Sequence, residues 1–79
     1  MDWNMINHER TTEALLKIGA KFRILRRKAG LSQREVSKDT GFNIGHIEGG
    51  KKNINITTLE YLCDYYGQTL KSFFDDLGL

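Results

Sequence analysis

The chain has 79 residues, of which 39% are hydrophobic and 28% charged, with a net charge of +2, one cysteine and no proline. That length allows one domain, burying about 60% of the surface its unfolded chain exposes, and the composition excludes a disordered chain. The single cysteine excludes an internal disulfide, no Cys/His cluster has metal-ligand spacing, and no run reaches the ~20 apolar residues of a bilayer span. The start, Met1-Asp2-Trp3-Asn4, lacks the basic and apolar regions of a signal peptide, so a cytoplasmic domain without cofactor or metal is expected.

The first dozen residues hold Trp3, Met5 and Ile6 without clear periodicity. Segment 1–12 is therefore expected to be flexible or to dock on the body, with residues 13–79 forming the domain proper. Leu15, Ile18, Phe22, Leu25 and Ala29 then recur at helical spacing. Thr11 or Thr12 is the expected cap of that helix, with Glu13 in its first turn. Gly30 suits its C-terminal end, and Arg26, Arg27 and Lys28 suit the negative end of its dipole. Six basic residues and no acid lie between Lys17 and Lys28.

Ser32-Gln33-Arg34-Glu35 is a capping-box pattern, and Leu31 with Val36 supplies a hydrophobic staple, so a helix starts at Gln33. Asp39-Thr40-Gly41 reads as its end. A further short helix carries Ile44 and Ile47 on one face and stops at Gly49-Gly50. Asn55 is the expected cap of the next helix, with Ile54 and Leu59 as staple and Ile56, Leu59, Leu62, Cys63 and Tyr66 as inner stripe. Thr69 caps a last helix bearing Leu70, Phe73, Phe74 and Leu77. No segment alternates as a strand. Five helices in one all-α domain result.

Charge is unevenly spread along this plan. Residues 1–30 carry seven basic and three acidic groups, whereas residues 54–79 carry one and four. A polyanion partner for the first part is one reading, and a solvated helix face is the other. Two short helices joined by a glycine-containing turn behind a basic helix describe a helix-turn-helix DNA reader. In that arrangement the first helix of the pair offers its N-terminus, here Ser32 and Gln33, to a phosphate. The second presents side chains to base edges in the major groove.

Leu31-Ser32-Gln33-Arg34-Glu35-Val36, then Ile44-Gly45-His46-Ile47-Glu48-Gly49-Gly50-Lys51-Lys52-Asn53, then the helix pair from Leu59 to Phe74, resemble the phage-repressor/Cro-like helix-turn-helix regulators over residues 15–77. The resemblance implies a compact five-helix, lambda-repressor-like DNA-binding domain acting on transcription, usually as a homodimer. It implies DNA contacts by Gln33 at the start of the second helix, by the recognition segment Gly41, Phe42, Asn43 and His46, and by Lys51, Lys52 and Asn53 in the loop that follows. It also implies that Glu48 is structural, paired with Arg23 or Arg26.

The sequence departs from the pattern in spacing, which is about three residues short between the Ser-Gln pair and the Ile44-to-Glu48 run. In one arrangement Thr40 is the cap of the recognition helix, the helix before it having lost its last turn. Alternatively, Phe42 fills the hydrophobic turn position, Asn43 caps, and the recognition helix is itself shortened. The first is preferred because it leaves a turn of helix for the groove. Base readout then rests on Asn43, which is also a natural cap, and on His46, which is also a natural phosphate neighbour, with Gln33 behind them. DNA shape is expected to supply part of any specificity.

The remaining candidates read as follows. Cys63 lies on an apolar stripe and is expected to be a buried thiol. Tyr61 and Tyr65 point off the stripe and are candidate dimer contacts. Asp75 and Asp76 are adjacent, so their carboxylates do not converge, and no enzyme activity is expected. The aromatic, acidic C-terminal part leaves open an antitoxin-like module that covers a partner protein such as a toxin.

Overall fold

Local start and stop signals divide the chain into five helices in the computed structural model, which describes the backbone of residues 3–78 and the side chains of residues 12–78. They are α1 (Trp3–Lys28), α2 (Gln33–Thr40), α3 (Ile44–Glu48), α4 (Ile56–Tyr65) and α5 (Leu70–Leu77). No strand occurs among the described residues, in keeping with the all-α expectation.

α1 starts earlier than expected. Trp3 is already helical, so neither Thr11 nor Thr12 is a cap and Glu13 lies in the helix interior. Nothing between Trp3 and Ile18 is glycine or proline, so no residue there opposes helix propagation. How Trp3, Met5 and Ile6 pack lies outside the described residues. Ile18 and Phe22 are buried and Leu15 and Leu25 half-buried. Ala29, expected on the same stripe, follows the last helical residue and is exposed.

The capping box of α2 is present: Ser32 Oγ accepts the Glu35 N–H at 3.0 Å, and Glu35 Oε1 accepts the Ser32 N–H at 3.1 Å. Ser32→Ala is expected to cost about 1 kcal/mol, seen as a lower urea midpoint at unchanged slope. Asn55 caps α4, its Oδ1 accepting the Thr58 N–H at 2.8 Å. Thr69 and Ser72 form a second capping box on α5. Ile56, expected on the inner stripe of α4, is 63% exposed. It is the first helical residue, two turns from Cys63 on the same side, and stands beyond the edge of the core.

Ile18, Phe22, Val36, Ile44, Leu59, Leu62, Cys63 and Phe73 form the core, so every helix contributes to it. At its centre the rings of Phe22 and Phe73 lie 4.6 Å apart. Cys63 is buried as expected, and burial pushes its thiol up, away from reactivity. Lys21 reaches Asp76 at 2.7 Å, tying α1 to α5, while Asp75 bonds Lys71. The two adjacent carboxylates thus engage different lysines.

The crossing of α1 and α3 is set by a glycine. A Cβ on Gly19 would lie 2.5 Å from the carbonyl oxygens of Ile47 and Glu48. Only a residue without a side chain lets the C-terminal carbonyls of α3 rest on α1.

Candidate nucleic-acid interface

The segment joining α2 to α3 decides where the recognition helix begins. Thr40 belongs to α2: its Oγ1 donates to the Val36 carbonyl at 2.8 Å and accepts the Phe42 N–H at 3.2 Å. Gly41 closes the helix with φ 78°, and its N–H donates to the Ser37 carbonyl at 2.8 Å. That left-handed conformation suits glycine. Ser37 Oγ then accepts the Ile44 N–H at 3.2 Å, and Asn43 Oδ1 accepts the His46 N–H at 3.1 Å. Asn43 is therefore the cap, and the preference for Thr40 is corrected. α2 keeps its last turn because the Thr40 hydroxyl is bonded within it, and the missing residues come out of α3, which has five.

So short a helix is not stable by itself, and Glu48 at its end supplies the anchor. The Glu48 side chain is wholly buried. Its Oε2 accepts from Arg26 Nε at 2.7 Å, and its Oε1 accepts from Arg26 Nη2 and from Gln33 Nε2, each at 3.0 Å. Arg23 Nε stands 3.5 Å from the same Oε1. The remaining fork of Arg26 donates from Nη1 to the Leu31 carbonyl at 2.9 Å. Burial by itself would push the Glu48 carboxyl up. The hydrogen bonds from Arg26 and Gln33 and the charge of Arg26 outweigh it, so its pKa is lowered. Correspondingly, the Glu48 hydrogen bond raises Arg26. The expected pairing of Glu48 with Arg26 is present, with Arg23 as an outer partner.

The residues expected at the interface fall into distinct places. Gln33 is half-buried and its amide is held by Glu48. Gly41 is the left-handed cap of α2. Phe42 is half-buried against the core, with its ring edge-on to Tyr61 at 5.5 Å. Asn43 and His46 are exposed, as are Lys51, Lys52 and Asn53 in the loop between α3 and α4.

Two recesses meet at Asn43. One, of about 590 Å³ and wide open, lies between α2 and α3 and is lined by Gln33, Arg34, Ser37, Asn43 and Gly45 among others. The other, of about 260 Å³, brings Asn43 together with Lys52, Asn53, Asn55 and Thr58. His46 and Lys51 line neither.

Arg34 and Ser37 were not among the residues expected at the interface. Arg34 stands next to Gln33 in sequence, and the position of Gln33 at a helix N-terminus pointed to the same surface. Ser37 is one turn further along that face and had no separate signal. Of the two tyrosines proposed as free contacts, Tyr61 is 51% exposed. Tyr65 is tied down, its hydroxyl donating to Asp39 Oδ2 at 2.9 Å.

Among the described residues there is no cluster of metal-ligating side chains, and no helix is long and apolar enough to cross a membrane. The family model described as a helix-turn-helix domain matches residues 17–71, well over half of the chain. No curated protein and no solved structure matches significantly.

Proposed function

The chain belongs to the helix-turn-helix domain family, and from that premise we propose that it is a sequence-specific, non-enzymatic binder of double-stranded DNA. It acts as a cytoplasmic transcriptional regulator of the phage-repressor/Cro-like type, on a pseudo-palindromic operator as a homodimer. The observation that carries the reading is the α2–turn–α3 unit with its cap at Asn43. It exposes Asn43 at the cap of α3, His46 on α3, and Lys51, Lys52 and Asn53 just beyond, in a stretch, residues 17–53, with ten basic and three acidic groups. Half-sites about one helical turn apart fit two such readers related by a two-fold axis.

Selection of bound sequences from a randomised duplex pool tests the proposal. A defined recovered sequence and an affinity that falls steeply with salt are expected. Binding that ignores salt, or a pool that stays random, argues against it. Asn43→Ala is expected to relax selectivity at its base position and, because it also removes the cap of α3, to lower affinity for every sequence somewhat. Lys51→Ala should weaken all sequences alike and lower the salt slope by about one. The reverse pattern would interchange the two roles.

A second reading is favoured by a groove of about 570 Å³ between α4 and α5, lined by Glu60, Tyr61 and Asp64. An exposed aromatic ring between two carboxylates suits a basic, partly apolar segment of a partner protein, as in an antitoxin-like module. Co-purification of a stoichiometric small basic protein from the native source supports this reading, and its absence counts against it.

A further inference from the structure

Resting on the DNA-binding reading, we infer that Arg34, on α2, is a specificity-determining residue that recognises a guanine in the major groove. α3 offers few groups to a base. It has five residues, about 7.5 Å of helix. Ile44 is buried and Gly45 has no side chain. The Oδ1 of Asn43 is occupied in capping the helix. A reader this short leaves the recess between α2 and α3 open to the base edges, and α2 forms the other wall.

The hydrogen-bonding capacity of that wall is already divided. Gln33 donates its amide to Glu48, and Ser37 Oγ accepts the Ile44 N–H. Arg23 and Arg26 are turned to Glu48. Arg34 is exposed, lines the recess, and its side chain has no hydrogen bond or ion pair among the described residues. Its planar fork of five N–H donors is the group that matches guanine O6 and N7 together. The floor beside it is Gly45, where an added Cβ would first meet Gln33 Oε1 at 3.5 Å. With no side chain there, a base edge approaches without obstruction.

The test separates base recognition from simple attraction to phosphate. Wild type, Arg34→Lys and Arg34→Ala are each taken through selection on a randomised duplex pool. Fluorescence anisotropy on the wild-type consensus and its single-base variants follows. Lysine keeps the charge and remains a competent phosphate ligand, but it lacks the fork.

Arg34→Ala is expected to lose about tenfold or more of the preference for guanine at one position, with the other positions still selected, and Arg34→Lys, whose ammonium still reaches O6 and N7, to lose less of it. Replacing that guanine by 7-deazaguanine is expected to weaken wild type and leave Arg34→Ala unchanged, whereas inosine, which retains O6 and N7, binds wild type normally. A uniform loss across sequences in Arg34→Ala, with Arg34→Lys selecting the wild-type consensus, makes Arg34 a phosphate contact and overturns the inference. It would leave the DNA-binding reading standing. A wild-type pool that remains random overturns both. Arg34 is exposed, and matching thermal transitions for the three proteins verify that they are equally folded.

Discussion

Glu48→Ala is expected to cost about 3–5 kcal/mol of stability, the range for breaking a buried ion pair by removing one partner. A domain of this length has roughly 4–12 kcal/mol in total, so the loss is a large share of it and, at the low end of that range, leaves much of the variant population unfolded. The loss is large because Arg26 stays behind, buried, with its charge unpaired and its Nε and Nη2 without acceptors. Urea denaturation followed by circular dichroism measures it. The double variant Arg26→Met/Glu48→Leu, which removes both charges, should recover much of the loss. If the double variant is no more stable than Glu48→Ala, the cost lies in shape rather than charge.

The same carboxylate makes stability depend on pH, and the sign follows from its lowered pKa. A group more acidic in the folded than in the unfolded state binds fewer protons when folded. Its contribution is therefore complete above the ordinary carboxylate range and is lost as pH falls through the folded value. Wild type should lose stability on acidification below that range. The double variant should show a flatter dependence there, the Asp76–Lys21 contribution remaining in both.

Gly19→Ala is the second large effect. The added methyl would sit 2.5 Å from two backbone oxygens that belong to the end of α3 and cannot swing aside like a flexible side chain. α1 and α3 must separate. Overpacking of this kind costs about 1–3 kcal/mol, or roughly 4–24 °C in melting temperature for a domain of this size. DNA affinity should fall further than the folded fraction accounts for, because α3 carries His46 and is capped by Asn43. An unchanged melting temperature would show that the crossing has slack.

The contrast between what was readable in the chain and what was not follows the range of the interactions. The Ser32–Glu35 box and the caps at Asn55 and Thr69 span three residues each, and their side chains find their partners wherever the helix begins. The start of α3 was harder, because Thr40 and Asn43 are both competent caps. The choice between them rests on Ser37 receiving the Ile44 N–H seven residues away, and on Thr40 bonding back into α2. Ile56 keeps the periodicity of the inner stripe yet lies outside, since periodicity gives direction around a helix and not the extent of the core along it. Of the residues proposed for the interface, Asn43, His46, Lys51, Lys52 and Asn53 are exposed, as surface side chains of a short helix and loop are expected to be. The bond from Gln33 to Glu48 spans fifteen residues and exists only once α2 and α3 are docked on α1. Arg34 becomes prominent only by elimination, when its neighbours are seen to be occupied.

One carboxylate at the end of α3 is gripped by α1 through Arg26 and Arg23 and by α2 through Gln33. A consequence concerns how this protein can change over time. The exposed positions of α3 and of the following loop are free to be replaced without touching that anchor. The anchor itself can change only if Glu48 and Arg26, on two helices, change together. Recognition is thus open to drift by single substitutions, while the frame that presents it is closed to them. New binding preferences are reached from this chain by altering the exposed face, with Glu48, Arg26 and Gly19 held fixed.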